Sequence, residues 1–324
     1  MGKRYKNLYH QICHPDTLWA AYQKAAAGKR RSMGYLHFKQ NEAANIARLS
    51  ASLKDGSYQP GEQRTFTVYE PKKRQISALP FADRVVQHAL VSVIEPIFDR
   101  AFLPQSYACR VNKGTHRGAD KAQATMRRMQ QLGQGWFLKT DFAGYFKNIN
   151  LEVLHREIRR KISCRPTLDL ITKLHPASGT GLPIGNLTSQ LFANVYGNIL
   201  DKYLAHELGR TNFIRYMDDT VIFSNSRHYL ETLRYGLKWF CKSVMKLDFS
   251  RWMIAPFQQG LNFLGYRIWP THKLLRRSSV ARAKQAIKKL KNRPEQLRAF
   301  VASWRGHAQW ADSHNLLHAL EVYA

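Results

Sequence analysis

The apolar positions of the chain follow two periods, one typical of helices and one typical of strands. A stripe that recurs every three or four residues predicts an amphipathic core helix over 81–98. Shorter segments alternate with a period of two, as half-buried strands do. The combination predicts an α+β fold. The same helical spacing predicts further helices over 38–53, 119–129, 191–204 and 229–244.

The strand-like segments are bounded by turn-forming residues. Residues 64–79 alternate on both sides of Pro71, which predicts a hairpin with the basic tip Pro71-Lys72-Lys73-Arg74. Such a tip suits a triphosphate or a phosphate backbone, although a solvated turn has the same composition. The remaining strand-like segments are 136–142, 213–223, 247–249 and a hairpin at Asn262-Phe263-Leu264-Gly265-Tyr266.

Charge narrows the class of partner. The 324 residues include 51 Lys and Arg against 22 Asp and Glu, a net charge of +29. A field of this sign attracts polyanions such as nucleic acid. We expect no membrane partner, because no apolar run approaches the roughly 18–20 residues of a spanning helix. The four cysteines are scattered, which favours a reducing compartment, and we expect the cytoplasm.

Two adjacent acids, Asp218 and Asp219, stand between the two apolar halves of segment 213–223. Carboxylates held together among apolar residues are costly unless a cation lies between them. An Asp-Asp surface turn is the alternative. A third acid, Asp141, ends the apolar run 136–142, where a helix-capping role is also open to it. The three acids together favour a metal site.

The order of these motifs resembles the reverse transcriptases. Asp141 at a strand end, the loop 181–190 and then Tyr216-Met217-Asp218-Asp219 on a hairpin match the palm domain of that family. The resemblance implies a right-hand polymerase fold with fingers, a palm that holds an antiparallel sheet and the catalytic hairpin, and a helical thumb. The implied division is a basic N-terminal helical extension at 1–60, fingers at 61–135, palm at 136–270 with room for a fingers insertion around 151–180, and thumb at 271–324.

One departure narrows the resemblance. The loop reads Leu182-Pro183-Ile184-Gly185 and then Ser189-Gln190, where most reverse transcriptases have Leu-Pro-Gln-Gly and Ser-Pro. This version resembles the reverse transcriptases of diversity-generating retroelements. The resemblance implies error-prone cDNA synthesis with errors at template adenines. It also implies as partners a template RNA, the RNA/cDNA duplex, dNTPs and a small basic accessory protein, which is pentameric in the family.

The resemblance also implies roles for single residues. Asp141 and Asp218 would bridge two Mg²⁺ ions, for which Mn²⁺ could substitute, with Asp219 and the carbonyl oxygen of Phe142 as further ligands. Phe146 would be the steric gate that excludes a 2′-hydroxyl, with Tyr145 as the competing ring. The implied dNTP-binding residues are Lys72, Arg74, Phe146, Ile184 and Gly185. The implied template and primer contacts are Gln190, Phe263, Leu264 and Gly265.

Two other functions remain open from the sequence. A retron-type or group II intron-type reverse transcriptase would carry the same acids. We expect no maturase or endonuclease segment of the intron type, because the chain ends at Ala324. A non-catalytic RNA-binding protein could also keep a palm fold, but paired acids without a metal would destabilise it.

Overall fold

The computed structural model describes residues 3–69 and 73–320. They divide into two compact units, each built from separated stretches of the chain. Unit 1 consists of Met1–Pro104, Phe142–Glu207 and Phe240–Asp248. Unit 2 consists of Gln105–Asp141, Leu208–Trp239 and Phe249–Ala324. The four-part division that the sequence predicts stays a prediction.

Unit 1 is largely helical. Helix α5 packs against α2 and α10, and Leu18, Val85 and Leu90 are fully buried there. Tyr22, on α2, stacks on Phe38 with ring centroids 5.5 Å apart. The helices are α1 Tyr9–Cys13, α2 Pro15–Ala26, α3 Met33–Gln40, α4 Glu42–Lys54, α5 Phe81–Asp99, α7 Tyr145–Asn148, α8 Leu151–Arg159, α9 Arg165–Leu174, α10 Leu187–Lys202 and a π-helical turn Tyr203–Glu207.

Unit 1 also contains the predicted basic hairpin. Strands β1 Arg64–Val68 and β2 Arg74–Ala78 are antiparallel, and Val68 lies opposite Arg74. Arg74 is therefore the first residue of β2 and is exposed. Lys72, the other predicted triphosphate ligand, lies outside the described residues.

Three predicted boundaries are wrong. The helix expected over 38–53 is divided between two helices. Asn41 ends α3, because its backbone angles (φ −134°, ψ 48°) are not helical. Helix α10 begins at Leu187 instead of 191, so Gln190 lies in its first turn. The strand expected at 247–249 begins only at Phe249 and continues to Pro256. Each error falls at an element end, where local polarity changes little.

Unit 2 is built around a four-stranded sheet. Its strands are β3 Trp136–Phe142, β4 Phe213–Tyr216, β5 Asp219–Ser224 and β6 Phe249–Pro256, in the order β4-β5-β3-β6. The final residue of β3, Phe142, belongs to unit 1. Phe137 and Phe223 lie opposite each other on β3 and β5 and are buried in the core. Two helices of this unit are α6 Thr115–Gln130 and α11 Arg227–Val244. The end of α11, from Phe240, belongs to unit 1.

The C-terminal part of unit 2 holds a second sheet. Strands β7 Leu261–Phe263, β8 Tyr266–Ile268 and β9 Lys273–Leu275 pair in sequence order. The β7–β8 turn confirms the predicted hairpin. Its two central residues, Leu264 and Gly265, both have positive φ (52° and 92°), as a type I′ turn requires. The helices are α12 Arg277–Leu290, α13 Pro294–Ala308 and α14 His314–Ala319.

The observed elements confirm the α+β class. The predicted core helix over 81–98 is α5, and the predicted strand over 136–142 is β3 with the same bounds. Among the described residues, no helix is both long and apolar enough to cross a membrane.

Candidate active site

The three predicted catalytic acids lie at one end of the four-stranded sheet. Strands β3 and β5 are antiparallel, with Thr140 opposite Thr220. Asp141 follows Thr140 and Asp219 precedes Thr220, so the antiparallel register brings both acids to the same edge. Asp218 occupies the adjoining turn between β4 and β5.

This turn is tight and internally braced. Tyr216 and Asp219 form the last strand pair, so Met217 and Asp218 make a two-residue connection. Met217 has a φ of 53°, in the left-handed region that most side chains avoid. The fully buried Arg215 donates from Nη1 to the carbonyl oxygen of Met217 at 3.2 Å and from Nη2 to Ser106 Oγ at 3.0 Å. The buried guanidinium thus holds the turn in its strained conformation.

The carboxylates perturb one another. Burial raises the pKa of Asp218 to about 6, and the negative charges of Asp219 and Asp141 add to this shift. A hydrogen bond between the side chains of Asp218 and Asp141 also favours the protonated form. Neighbouring carboxylates that repel one another in this way are difficult to ionise together.

Lys139 balances part of this charge. Its Nζ lies 3.3 Å from Asp219 Oδ1 and donates to the carbonyl oxygen of Asn262 at 3.1 Å. Burial raises the pKa of Asp219, while Lys139 opposes the shift. The ammonium group thereby joins the acidic edge of the sheet to strand β7, next to the turn at Leu264 and Gly265.

The donor set fits a divalent metal. Carboxylate oxygens are the ligands that Mg²⁺ prefers, and a cation would relieve the repulsion that raises the Asp218 pKa. The described residues do not, however, contain three acidic, His or Cys side chains already converged around a common centre. Asp219 is paired with Lys139 instead. A metal bound by all three acids would compete with that ammonium group.

The loop that carries Ile184 and Gly185 belongs to unit 1, where it packs on the basic hairpin. Ser77, on β2, donates its N–H to the carbonyl oxygen of Ile184 at 2.8 Å. Gly185 has a φ of 113°, and a Cβ there would lie 2.8 Å from the carbonyl oxygen of Ser77. Only glycine fits this close approach. Gln190 is exposed on the first turn of α10.

The two aromatic residues after β3 have different surroundings. Tyr145 is buried, stacks on Phe142 with centroids 5.4 Å apart, and donates its hydroxyl to the carbonyl oxygen of Ala193 at 2.7 Å. Phe146 is half-buried, and its backbone carbonyl accepts from the N–H of Leu182 at 2.7 Å. Tyr145 is thus committed to the core, whereas part of the Phe146 ring is accessible.

Comparison with known proteins decides the family. The family model for reverse transcriptases (RNA-dependent DNA polymerases) matches residues 63–268, more than half of the chain. This chain belongs to the reverse transcriptase family. The matched range contains all the predicted site residues, from Lys72 to Gly265.

Two relatives illustrate the breadth of the likeness. The chain is 24% identical over 365 aligned positions to the group II intron-encoded protein LtrA of Lactococcus lactis subsp. cremoris, covering 88% of this chain and 59% of that protein. It is 25% identical over 275 positions to protein YkfC of Escherichia coli (strain K12), covering 70% and 71% of the two chains. The chain therefore spans about three fifths of the intron-encoded relative.

Solved structures agree with the predicted fold. Apo telomerase from Candida tropicalis superposes with a TM-score of 0.53 at 10% identity, covering 65% of this chain and 48% of the telomerase chain. The same telomerase with a fragment of telomeric RNA gives 0.50 at 12% identity, covering 70% and 47%. At this identity the likeness shows the fold alone. It supports the right-hand polymerase prediction.

Sequence reasoning missed three residues that support the candidate site. Lys139 pairs with Asp219, Arg215 braces the hairpin turn, and Ser77 holds the loop at Ile184. Lys139 stands two residues before Asp141 on β3, so its alternation with Asp141 on one strand face could have signalled it. Arg215 and Ser77 carry no comparable signal, because their partners follow from tertiary contacts.

Proposed function

We propose that this chain is an RNA-directed DNA polymerase that adds deoxynucleotides to a primer paired with an RNA template. The observation that carries the proposal is the strand register that places Asp141 opposite Asp219 at one edge of the sheet, beside Asp218 in the adjoining turn. Membership of the reverse transcriptase family agrees with it. A non-catalytic RNA-binding role would leave this costly pair of acids without a purpose.

In the proposed site, Asp141, Asp218 and Asp219 hold two Mg²⁺ ions together with the carbonyl oxygen of Phe142, and Mn²⁺ can replace Mg²⁺. When bound, such ions stabilise the attacking and leaving oxygens of a phosphoryl transfer. Lys139 opposes the effect of burial on Asp219, because its ammonium group favours the carboxylate form that would bind a cation.

The other proposed roles concern substrate. Lys72 and Arg74 bind the triphosphate from the basic hairpin, and Ile184 and Gly185 line the nucleotide beside it. The hydrogen bond from Ser77 to Ile184 supports this grouping, since it fixes the loop on the hairpin. The partly accessible ring of Phe146 acts as the steric gate. The proposed template and primer contacts are Gln190, Phe263, Leu264 and Gly265.

We further propose that the enzyme is of the diversity-generating retroelement type and makes cDNA with errors at template adenines. Ile184 supports this type, because it cannot donate the hydrogen bond that a Gln side chain at this position could make. A small basic accessory protein and a template RNA would be its partners in the bacterial cytoplasm. The group II intron type is the second candidate, since an intron-encoded protein is among the relatives.

The activity test is Mg²⁺-dependent dNTP incorporation on a primed RNA, with and without the accessory protein. We expect Asp218→Asn to abolish extension while RNA binding persists, because only the proposed cation anchor is lost. Asp16→Asn, at an exposed acid in unit 1, is the matched control and should extend normally. Near-normal extension by the Asp218 variant would reject the site.

The diversity-generating retroelement type is tested by the substitution Ile184→Gln, with misincorporation measured separately opposite template A, C, G and U. A regained hydrogen bond of about 0.5–1.5 kcal/mol should improve discrimination roughly three- to tenfold. Errors opposite adenine should fall most. An unchanged error spectrum in an active variant would remove Ile184 from the mechanism, and uniformly low wild-type errors would favour the intron type.

A further inference from the structure

An aromatic surface on unit 2 has no part in the site described above. Tyr235 and Trp239 lie four residues apart on α11, so their rings stand on the same side of the helix. Tyr235 is 66% exposed and Trp239 is 67% exposed. Large aromatic side chains that stay this accessible are typical of interaction surfaces.

A groove of about 550 Å³ opens beside these residues. Helix α11 contributes Arg227, Arg234 and Tyr235 to its walls, and strand β6 contributes Trp252 and Ile254. Its volume lies within the roughly 300–1,000 Å³ of typical ligand clefts. Strand β6 is the terminal strand of its sheet, so the groove follows a sheet edge. We call this groove, together with Tyr235 and Trp239, the α11–β6 face.

Cations are interleaved with the rings on this face. The guanidinium of Arg234 lies 4.8 Å from the ring centre of Tyr235 and donates from Nη2 to its hydroxyl at 2.9 Å. Arg227 lies 5.4 Å from the ring centre of Trp136 and also pairs with Glu231 at 2.9 Å. Glu231 is the acid among the groove residues. The face therefore combines aromatic stacking surfaces with a positive balance of charge.

We propose that the α11–β6 face binds a single-stranded segment of RNA, with bases stacked on Tyr235 and Trp239. Its phosphates would pair with Arg234 and with Lys238, which is exposed on α11 directly before Trp239. Stacking surfaces beside cations bind single strands with little sequence preference, since every base has a stacking face. The proposal rests on the proposed function only in taking RNA as the template. It adds a contact outside the catalytic acids.

The position of the α11–β6 face on the sheet indicates that it is separate from the catalytic acids. Trp136, which underlies Arg227, begins β3, and Asp141 stands five residues later on the same strand. At about 3.3 Å per residue the two are roughly 17 Å apart. A template bound at the α11–β6 face would thus be held several nucleotides away from the acids. Aromatic and Arg residues also occur in protein interfaces, but the positive charge disfavours a basic accessory protein here.

The test compares two primed RNA templates bound by the 324-residue chain. One has a single-stranded overhang of about 25 nucleotides, longer than the site of a typical single-strand binding domain, and the other has a minimal overhang. The variant is Tyr235→Ala/Trp239→Ala. We expect its affinity for the long-overhang template to fall at least tenfold, because each lost stacking contact weakens binding by about fivefold or more. Affinity and extension with the minimal overhang should not change.

Two controls keep the result specific. Val111→Ala/Leu132→Ala removes two exposed apolar side chains elsewhere in unit 2, which are 82% and 76% exposed, and should bind both templates normally. Tyr235→Phe/Trp239→Phe retains stacking rings and should restore most of the affinity. Circular dichroism and thermal melting establish that the alanine variant is folded.

A second measurement uses the unaltered protein. With 4-thiouridine in the long overhang, we expect photocrosslinks in the peptides that carry residues 227–239 and 249–256. An alanine variant that binds the long-overhang template as tightly as wild type does, or crosslinks confined to other segments, would overturn the proposal and leave the face as a protein-docking surface. Absence of extension by wild type on either template would instead count against the proposed function, since binding and crosslinking are scored without turnover.

Discussion

At the scale of single residues, the acidic edge of unit 2 carries opposing charges that single substitutions can separate. Asp218 bears the repulsion of two neighbouring carboxylates, whereas Asp219 is relieved by Lys139. The two adjacent acids therefore differ in environment although they look alike in sequence. Asp218 is the position at which charge removal should benefit the metal-free fold.

Asp218→Asn should stabilise the metal-free protein at neutral pH. The folded pKa of Asp218, about 6, lies above the ordinary 3.8, so the folded state holds this proton more tightly than the unfolded chain does. The wild-type protein should then lose about 1–3 kcal/mol as pH rises from 4 through 6. The Asn variant lacks this loss.

The measurement is thermal unfolding in EDTA at pH 4 and pH 8. The melting temperature of the variant minus that of wild type should be larger at pH 8. Added Mg²⁺ at pH 8 should raise the melting temperature of wild type only. A difference that stays constant with pH would contradict the electrostatic argument.

Phe146→Ala should raise ribonucleotide incorporation relative to deoxynucleotide incorporation, because the partly accessible ring no longer opposes a 2′-hydroxyl. Single-nucleotide extension with rNTP and dNTP measures the ratio. Tyr145→Phe is the control. It removes the hydroxyl bonded to Ala193, which should cost about 1 kcal/mol of stability without changing sugar choice. An unchanged ratio in the Phe146 variant would show that Tyr145 or another residue sets the choice of sugar.

At the scale of elements, the contact between the loop 181–190 and strand β2 organises unit 1. The loop is far from β2 in sequence, yet Ser77 bonds Ile184 and abuts Gly185. Ile76 Cγ2 would lie 3.0 Å from a Cβ at Gly185. The basic hairpin and the loop are thus packed backbone to backbone, and a side chain at Gly185 would separate them.

Gly185→Ala should therefore impair the use of dNTP by more than its loss of stability explains. Gly179→Ala is a matched control: Gly179 also has positive φ (87°), but a Cβ there meets nothing within 4 Å. Both variants should lose about 1–3 kcal/mol from backbone strain. Only Gly185→Ala should also raise the KM for dNTP, because the added methyl group pushes against Ser77. Equal KM values in the two variants would show that the contact is not needed for substrate.

At the scale of the whole molecule, the main feature is the excess of positive charge. A net +29 over 324 residues exceeds what a fold needs for solubility. The C-terminal stretch from Gly265 contains twelve Lys or Arg against three acids, most of them on α12 and α13. Such a distribution suits a nucleic-acid backbone.

RNA binding should therefore weaken steeply with salt. Each phosphate contact contributes a slope of about −0.7 for single strands and about −0.9 for duplexes in a plot of log K against log salt. Fluorescence anisotropy between low and physiological salt measures the slope. A flat response would show that the positive charge is not used on phosphates.

The sequence alone determined the elements and the family. Apolar periodicity located α5 and β3, and the spacing of Asp141, Asp218 and Asp219 indicated a reverse transcriptase, which the family match confirms. These predictions succeed because periodicity and turn chemistry are local properties of the sequence. The roles of the individual site residues and the retroelement type stay predictions, since fold and family are shared by enzymes of different types.

Only the tertiary structure decided which groups contact the residues of the candidate site. Lys139 reaches Asp219 because β3 pairs with β5 in one register, and a shift by one residue would turn it to the other face. Arg215 reaches both its own turn and Ser106, more than a hundred residues earlier. Gly185 must be glycine because Ser77 packs against it. Such partners depend on which segments the fold brings together, and no local pattern encodes that choice.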